Sequence, residues 1–113
     1  MIVDIDGTLL YHFGSLNKQI ENEPKILDGV KETFDAWDYK GYRIILLTGR
    51  KESMRKITIR QLDACGIFYD QLVMGVGGGE RVLINDLKTD GNYNTAFAVN
   101  VERNKGIREL KDI

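Results

Sequence analysis

The 113 residues contain a single cysteine, a single proline, a single histidine and a single tryptophan. The lone Cys65 excludes an internal disulfide framework and suits a reducing compartment, so a cytoplasmic location is expected. No apolar run approaches the ~20 residues needed to span a bilayer. Acidic residues enter at Asp4, where a signal peptide would carry a basic and then an apolar stretch, so no leader and no membrane partner are expected. An excess of one charge is also missing. Sixteen basic residues face seventeen acidic ones, a net charge of −1, so nucleic acid is not indicated by charge and neither is an anionic lipid surface. Repeats, low-complexity tracts and linkers are absent, and residues 1–113 read as one domain of common size. With 42% hydrophobic and 29% charged residues, the composition is that of an ordinary globular chain able to bury a core without staples.

What is present is an alternation of elements. Met1-Ile2-Val3-Asp4-Ile5 is a short apolar run with β-branched residues, expected to be a buried strand that ends at Gly7 and Thr8. Residues 9–23 have no clean period and read as a loop or small hairpin. Val30, Phe34 and Trp37 then recur at helical spacing, which predicts a helix from Asp28 to about Lys40, with Asp28 as its cap and Gly41 as its stop. Residues 42–47 are apolar enough for a strand buried on both faces. A second helix is predicted from Glu52 to Ala64, with Met54, Ile57 and Leu62 inward and Gly66 ending it. Short strands follow at 72–74, 82–84 and 96–99, with a turn at 75–79 and a last helix at 105–110. This order predicts an α/β fold: a single Rossmann-like, three-layer domain around a mostly parallel five-stranded sheet.

In such sheets ligands bind beyond the carboxyl ends of the strands, near the topological switch point. The polar residues that follow the apolar runs are Asp4, Asp6, Gly7 and Thr8 after strand one, and Thr48, Gly49 and Arg50 after strand two. Asn85, Asp86 and Asp90 follow strand four. Four carboxylates in one crevice repel strongly, since two unit charges 4 Å apart cost about 4 kcal/mol at an effective dielectric of 20. Such a cluster needs a cation, a raised pKa, or both. Oxygen ligands without histidine or cysteine suit Mg²⁺, which commonly shares substrate phosphate oxygens. Asp4 and Asp6 lie two apart on an extended strand and would share a face. One can act as nucleophile through an aspartyl-phosphate, while the other protonates the leaving oxygen and later activates water. Thr48 offers a hydroxyl, and Gly49 and Arg50 offer backbone amides, to a phosphoryl oxygen.

Asp-Ile-Asp-Gly-Thr-Leu (residues 4–9), Leu-Leu-Thr-Gly-Arg (46–50) and Ile-Asn-Asp-Leu-Lys-Thr-Asp (84–90) resemble the first, second and fourth motifs of the haloacid dehalogenase superfamily. They occur in the family's order, each after a strand, over essentially the whole chain. The resemblance implies a magnesium-dependent phosphomonoesterase with Asp4 as nucleophile, Asp6 as general acid/base and Thr48 as phosphate binder. It implies Mg²⁺ held by Asp4, the Asp6 carbonyl and Asp86, with Asn85 or Asp90 in direct or water-mediated contact. The family's third motif places a lysine or arginine shortly before strand four, and residues 75–81 hold no lysine. Arg81 is the expected substitute, with Lys51 and Lys88 as alternatives. Residues 9–23 are too few for a large cap domain, so an open, capless site is expected. Such a site admits a small phosphoester or a bulkier phosphorylated substrate, or is closed by a neighbouring subunit in a homo-oligomer.

Other readings compete at individual residues. Asp4 and Asp6 could close a strand in an Asx-type turn, and Thr48 could cap a helix. The glycines at 75–79 match no nucleotide-binding pattern and read as a turn. His12 reads as a surface residue, Cys65 as a small buried thiol, and Tyr11, Phe13 and Tyr93 as packing or as a frame for the crevice. The missing lysine motivates an alternative function: a catalytically weak, phosphate- and Mg²⁺-binding regulatory module. A two-component receiver domain is excluded, because its phosphoacceptor aspartate belongs after strand three, where Met74 and Gly75 stand.

Overall fold

The computed structural model describes residues 1–91 and 93–113. Three parallel strands form its sheet: β1 (Ile2–Asp4), β2 (Ile45–Leu47) and β3 (Gln71–Val73), in the order β1-β2-β3. Val3 pairs with Leu46, and Leu46 with Leu72. These three side chains share one face and join the core, whereas Ile2, Gln71 and Val73 on the other face are exposed. Two crossovers running the same way across a parallel sheet put both connecting helices on one face. The burial pattern agrees with that placement.

Helix α1 (Leu16–Glu21) lies within the segment expected to be a loop, capped by Ser15, whose hydroxyl accepts from the Lys18 N–H. Helix α2 (Val30–Tyr39) buries Val30, Phe34 and Trp37, the three residues that the periodicity singled out. Its cap is Gly29 and not Asp28, because the Asp28 carboxylate is bound by Arg108 at 2.8 and 3.0 Å instead. A short 3₁₀ turn (Glu52–Met54) leads into helix α3 (Arg55–Ala64). Both long helices stop as expected. Gly41 and Tyr42 donate back to Asp38 and Trp37, and Gly66 and Ile67 to Asp63 and Leu62, which satisfies the last carbonyls of each helix.

The sheet differs from the expected five strands. Residues 82–84 and 96–99 form no strand, and Val82, Leu83, Ile84, Phe97 and Val99 are exposed. A run of β-branched residues becomes a strand only where it finds a ladder partner and a surface to pack on. Among the described residues β1 has one neighbour, β2. Without a second half, the layers are two rather than three, and β2 is buried on one face, with Ile45 and Leu47 only half-buried. The last helix is likewise reduced to a 3₁₀ turn, Arg108–Leu110.

The C-terminal segment docks on α2 and on the loop after β1. Ile107 is buried, its N–H donates to the Asp28 carbonyl at 3.1 Å, and its carbonyl accepts from the Thr33 hydroxyl. The Trp37 indole N–H donates to the Leu110 carbonyl at 3.2 Å. Gly106 makes this approach possible: with φ at +84°, a Cβ there would stand 2.0 Å from the Asp28 oxygen. Gly106→Ala is therefore expected to lower stability by at least about 2 kcal/mol, from positive-φ strain and lost docking together. An unchanged midpoint in urea would contradict this packing.

Candidate active site

The loop after β1 is wound around one carbonyl. The Ile5 oxygen accepts from the N–H groups of Thr8, Leu9 and Leu10, and the Gly7 N–H donates to the Leu10 carbonyl at 2.7 Å. This turn leaves Asp4 open to solvent at the strand's end, with the Thr8 hydroxyl donating to its Oδ2 at 3.4 Å. Partial removal from water holds the Asp4 carboxyl above the ordinary carboxylate range, and the nearby charge of Asp6 acts in the same direction. The Ile5 N–H, the Arg81 guanidinium and the Thr8 hydroxyl oppose that shift.

Asp6, two residues on, is held differently. Arg50 grips it with two parallel bonds, Nε to Oδ2 and a terminal nitrogen to Oδ1, both 2.8 Å. The Gln19 side-chain amide donates to the same Oδ1 at 2.7 Å. Arg50 is only 1% exposed, and its other terminal nitrogen donates to the Thr58 hydroxyl and the Gln61 side-chain oxygen at 3.0 and 2.7 Å. Gln61 donates on to the Gln19 carbonyl, and Gln19 also bonds Tyr11 and accepts from the Phe13 N–H. Among the described residues no buried side-chain nitrogen or oxygen lacks a partner. This network joins α1, α3 and the loops after β1 and β2.

Thr48 is buried, and its hydroxyl oxygen accepts from the Arg50 N–H at 3.0 Å, so that amide is turned inward in this arrangement. The Thr48 N–H and carbonyl bond Val73 and Val76, which fixes the second-motif turn against the chain leaving β3. Gly49 packs on Gly77, where a Cβ would meet the Gly77 oxygen at 2.8 Å. Arg81 donates to the Gly77 and Gly79 carbonyls at 2.9 and 2.8 Å, and its charge reaches Asp4.

Asp4, Asp6, Gly7, Thr8, Thr48, Gly49 and Arg50 are thus gathered at the ends of β1 and β2, with Arg81 beside them. Asn85, Asp86 and Asp90 are exposed on the segment that forms no strand. Asn85 and the Asp86 carbonyl bond Thr95 there. Among the described residues no three carboxylate, histidine or cysteine groups are placed to hold a metal ion. Asp4, Asp6, Asp86 and Asp90 therefore form no shared carboxylate cluster in this arrangement.

Sequence reasoning missed Gln19, Thr58 and Gln61. A signal for two of them existed: Thr58 and Gln61 are spaced at three on the inner face of α3, where apolar residues were expected. Met54 and Ile57, expected inward, are half-buried. Cys65 is half-buried and free, its thiol pushed up by burial.

The sequence profile of the LNS2 domain of PITM 1-3 matches residues 1–91. No curated protein matches. Among solved structures, a chain of the Pnkp1/Rnl/Hen1 complex is 30% identical with a TM-score of 0.59, and the match covers 72% of this chain and 29% of that one. A chain of the Pnkp1/Rnl/Hen1 RNA repair complex is 32% identical, with a TM-score of 0.57, and the match covers 65% and 24%. The present chain thus spans less than a third of those proteins. A structural-genomics target from Vibrio cholerae is similar in fold, at 22% identity and a TM-score of 0.54, with 84% and 89% covered.

Two stability measurements check the site. Removing one partner of a buried ion pair strands the other, so Arg50→Ala is expected to cost about 3–5 kcal/mol in urea unfolding; a loss below about 1 kcal/mol would contradict the network. For Asp4 the sign is opposite. The folded carboxyl binds its proton more tightly than the ordinary value of 3.8, so the unfolded chain ionises first and stability falls as pH rises between the two values. Asp4→Asn removes that loss. The variant is expected to melt above wild type at pH 7 in EDTA, with the difference vanishing as pH falls below the carboxyl range; a lower melting temperature at pH 7 would count against the raised Asp4 carboxyl.

Proposed function

Because the chain belongs to the LNS2 domain family, a phosphatase family of haloacid dehalogenase-like fold, we propose that it hydrolyses a phosphomonoester through an aspartyl-phosphate on Asp4. The observation that carries this reading is the unequal setting of the two first-motif carboxylates. Asp4 is open to solvent and bonded by the Thr8 hydroxyl, while Asp6 is gripped by Arg50 and Gln19.

In this mechanism an Asp4 oxygen attacks phosphorus and the ester oxygen departs, taking a proton. Water then attacks the acyl phosphate, giving up a proton and releasing inorganic phosphate and free Asp4. Thr48, whose hydroxyl oxygen accepts from Arg50, keeps its own proton for a phosphoryl oxygen, and Arg81 adds positive charge beside Asp4. Asp6 is the acid and base. Of its two oxygens, Oδ1 accepts from both Gln19 and Arg50, while Oδ2 accepts from Arg50 alone and keeps a lone pair for the proton it carries. Magnesium belongs to this proposal through the order of motifs alone; if bound, it would neutralise phosphoryl charge beside Asp4. The likeness to chains of an RNA repair complex adds a phosphorylated RNA end to small phosphoesters as candidate substrates.

A second reading, a phosphate-binding module with little or no turnover, is favoured by Arg81, whose guanidinium is occupied by two glycine carbonyls. Single-turnover assays with an aryl phosphate, with Mg²⁺ and with EDTA, separate the two. The expected result is turnover that falls at least ~10³-fold in Asp4→Asn. Wild type no faster than that variant, across metals and pH values, would leave the binding module as the function.

A further inference from the structure

Arg103 lies against the nucleophile loop. Where a Cβ would stand on Gly7, the Arg103 Cγ is 3.2 Å away and its Nε 3.7 Å away. Gly7 (φ +90°) is one residue from Thr8, whose hydroxyl bonds Asp4. Among the described residues the Arg103 guanidinium has no hydrogen bond and no ion pair. Two arginines of the site are committed: Arg50 to Asp6, Thr58 and Gln61, and Arg81 to glycine carbonyls.

The placement of Arg103 is built into its neighbours. Asn104 is the one non-glycine residue with positive φ among the described residues, at 65°, a conformation that asparagine tolerates better than most. Its N–H donates to the Gly7 carbonyl at 2.8 Å. Its side chain accepts from the His12 N–H at 2.7 Å and donates to the His12 carbonyl at 3.3 Å. Gly106 and Ile107 anchor the chain on the other side. His12 shares the location, with its Cβ 3.7 Å from the same point above Gly7. The Gly14 N–H donates to its Nδ1 at 3.0 Å, so the neutral ring carries its proton on Nε2 as a further donor.

We propose that Arg103, with His12 beside it, forms an anion subsite at the Gly7 turn, on the loop that follows Asp4, that selects phosphomonoesters carrying a second phosphate a short distance from the scissile one. A guanidinium with free N–H groups matches two phosphate oxygens at once. Its fixed backbone limits the freedom lost on binding. This inference rests on Asp4 as the reacting group.

The test compares a nucleoside 3′,5′-bisphosphate with the matching 3′-monophosphate. Wild type is expected to favour the bisphosphate, and Arg103→Gln to lower the ratio of the two kcat/KM values ~10-fold, chiefly through KM, the size of one charge-assisted contact. Arg103→Lys should recover part of the ratio. An equal loss on both substrates would place Arg103 on the scissile phosphate and overturn the subsite, as would no change on either. A binding arm separates this from the catalytic reading. In Asp4→Asn protein, calorimetry should find the bisphosphate bound ~10-fold more weakly when Arg103→Gln is added. If wild type hydrolyses neither ester but that difference remains, the catalytic reading fails and the subsite stands. If both esters turn over with an unaltered ratio, the subsite fails alone.

Discussion

A guanidinium buried at 1% exposure holds the site together. Taking Arg50 out of water costs several kcal/mol unless its charge and donors are met. They are met here by one carboxylate in a two-pronged grip and by Thr58 and Gln61 on α3. The consequence is geometric. Asp6 follows β1, Arg50 follows β2, and α3 lies between β2 and β3, so a single side chain sets the register of every element that carries a first- or second-motif residue. Gln19 extends the grip to α1. The short segment after the first motif is thereby part of the site's frame and not an ornament on it.

The same network separates two carboxylates that look alike in sequence. Asp4 and Asp6 are identical residues two positions apart, yet one is solvent-facing with its proton held more tightly than usual, and the other is enclosed by three N–H donors. Chemistry that needs a nucleophile and a proton carrier needs such a difference. Here it comes from which way the chain turns after Ile5, whose carbonyl collects three N–H groups and sends Asp6 inward.

Local signals were legible. Helix α2 with Val30, Phe34 and Trp37, and the stops at Gly41 and Gly66, follow from short-range rules and appear as expected; the first strand forms at Ile2–Asp4 but is buried on one face only. The first two motifs also meet, because each follows a strand and the strands are neighbours. Illegible were features decided by distant partners. Residues 82–84 have the composition of a strand but no ladder, so the half of the site they would have carried stays apart from Asp4. Asp28 was a plausible cap, yet Arg108, far along the chain, takes its carboxylate. Periodicity chose Ile57 as inward when its neighbour Thr58 is the buried one, since only the unseen Arg50 side chain makes a polar inner face favourable. Asn104 meets His12 across 92 residues, and no local pattern announces it.

In the proposed reaction Asp4 forms a covalent bond to phosphorus while Arg50 and Gln19 hold Asp6 beside it. The most direct measurement is acid quenching during turnover of an aryl phosphate, followed by borohydride reduction and peptide mass analysis. One reducible acyl phosphate is expected, on Asp4, formed at least as fast as product is released. Turnover with no label on Asp4, or with the label on another residue, would contradict it.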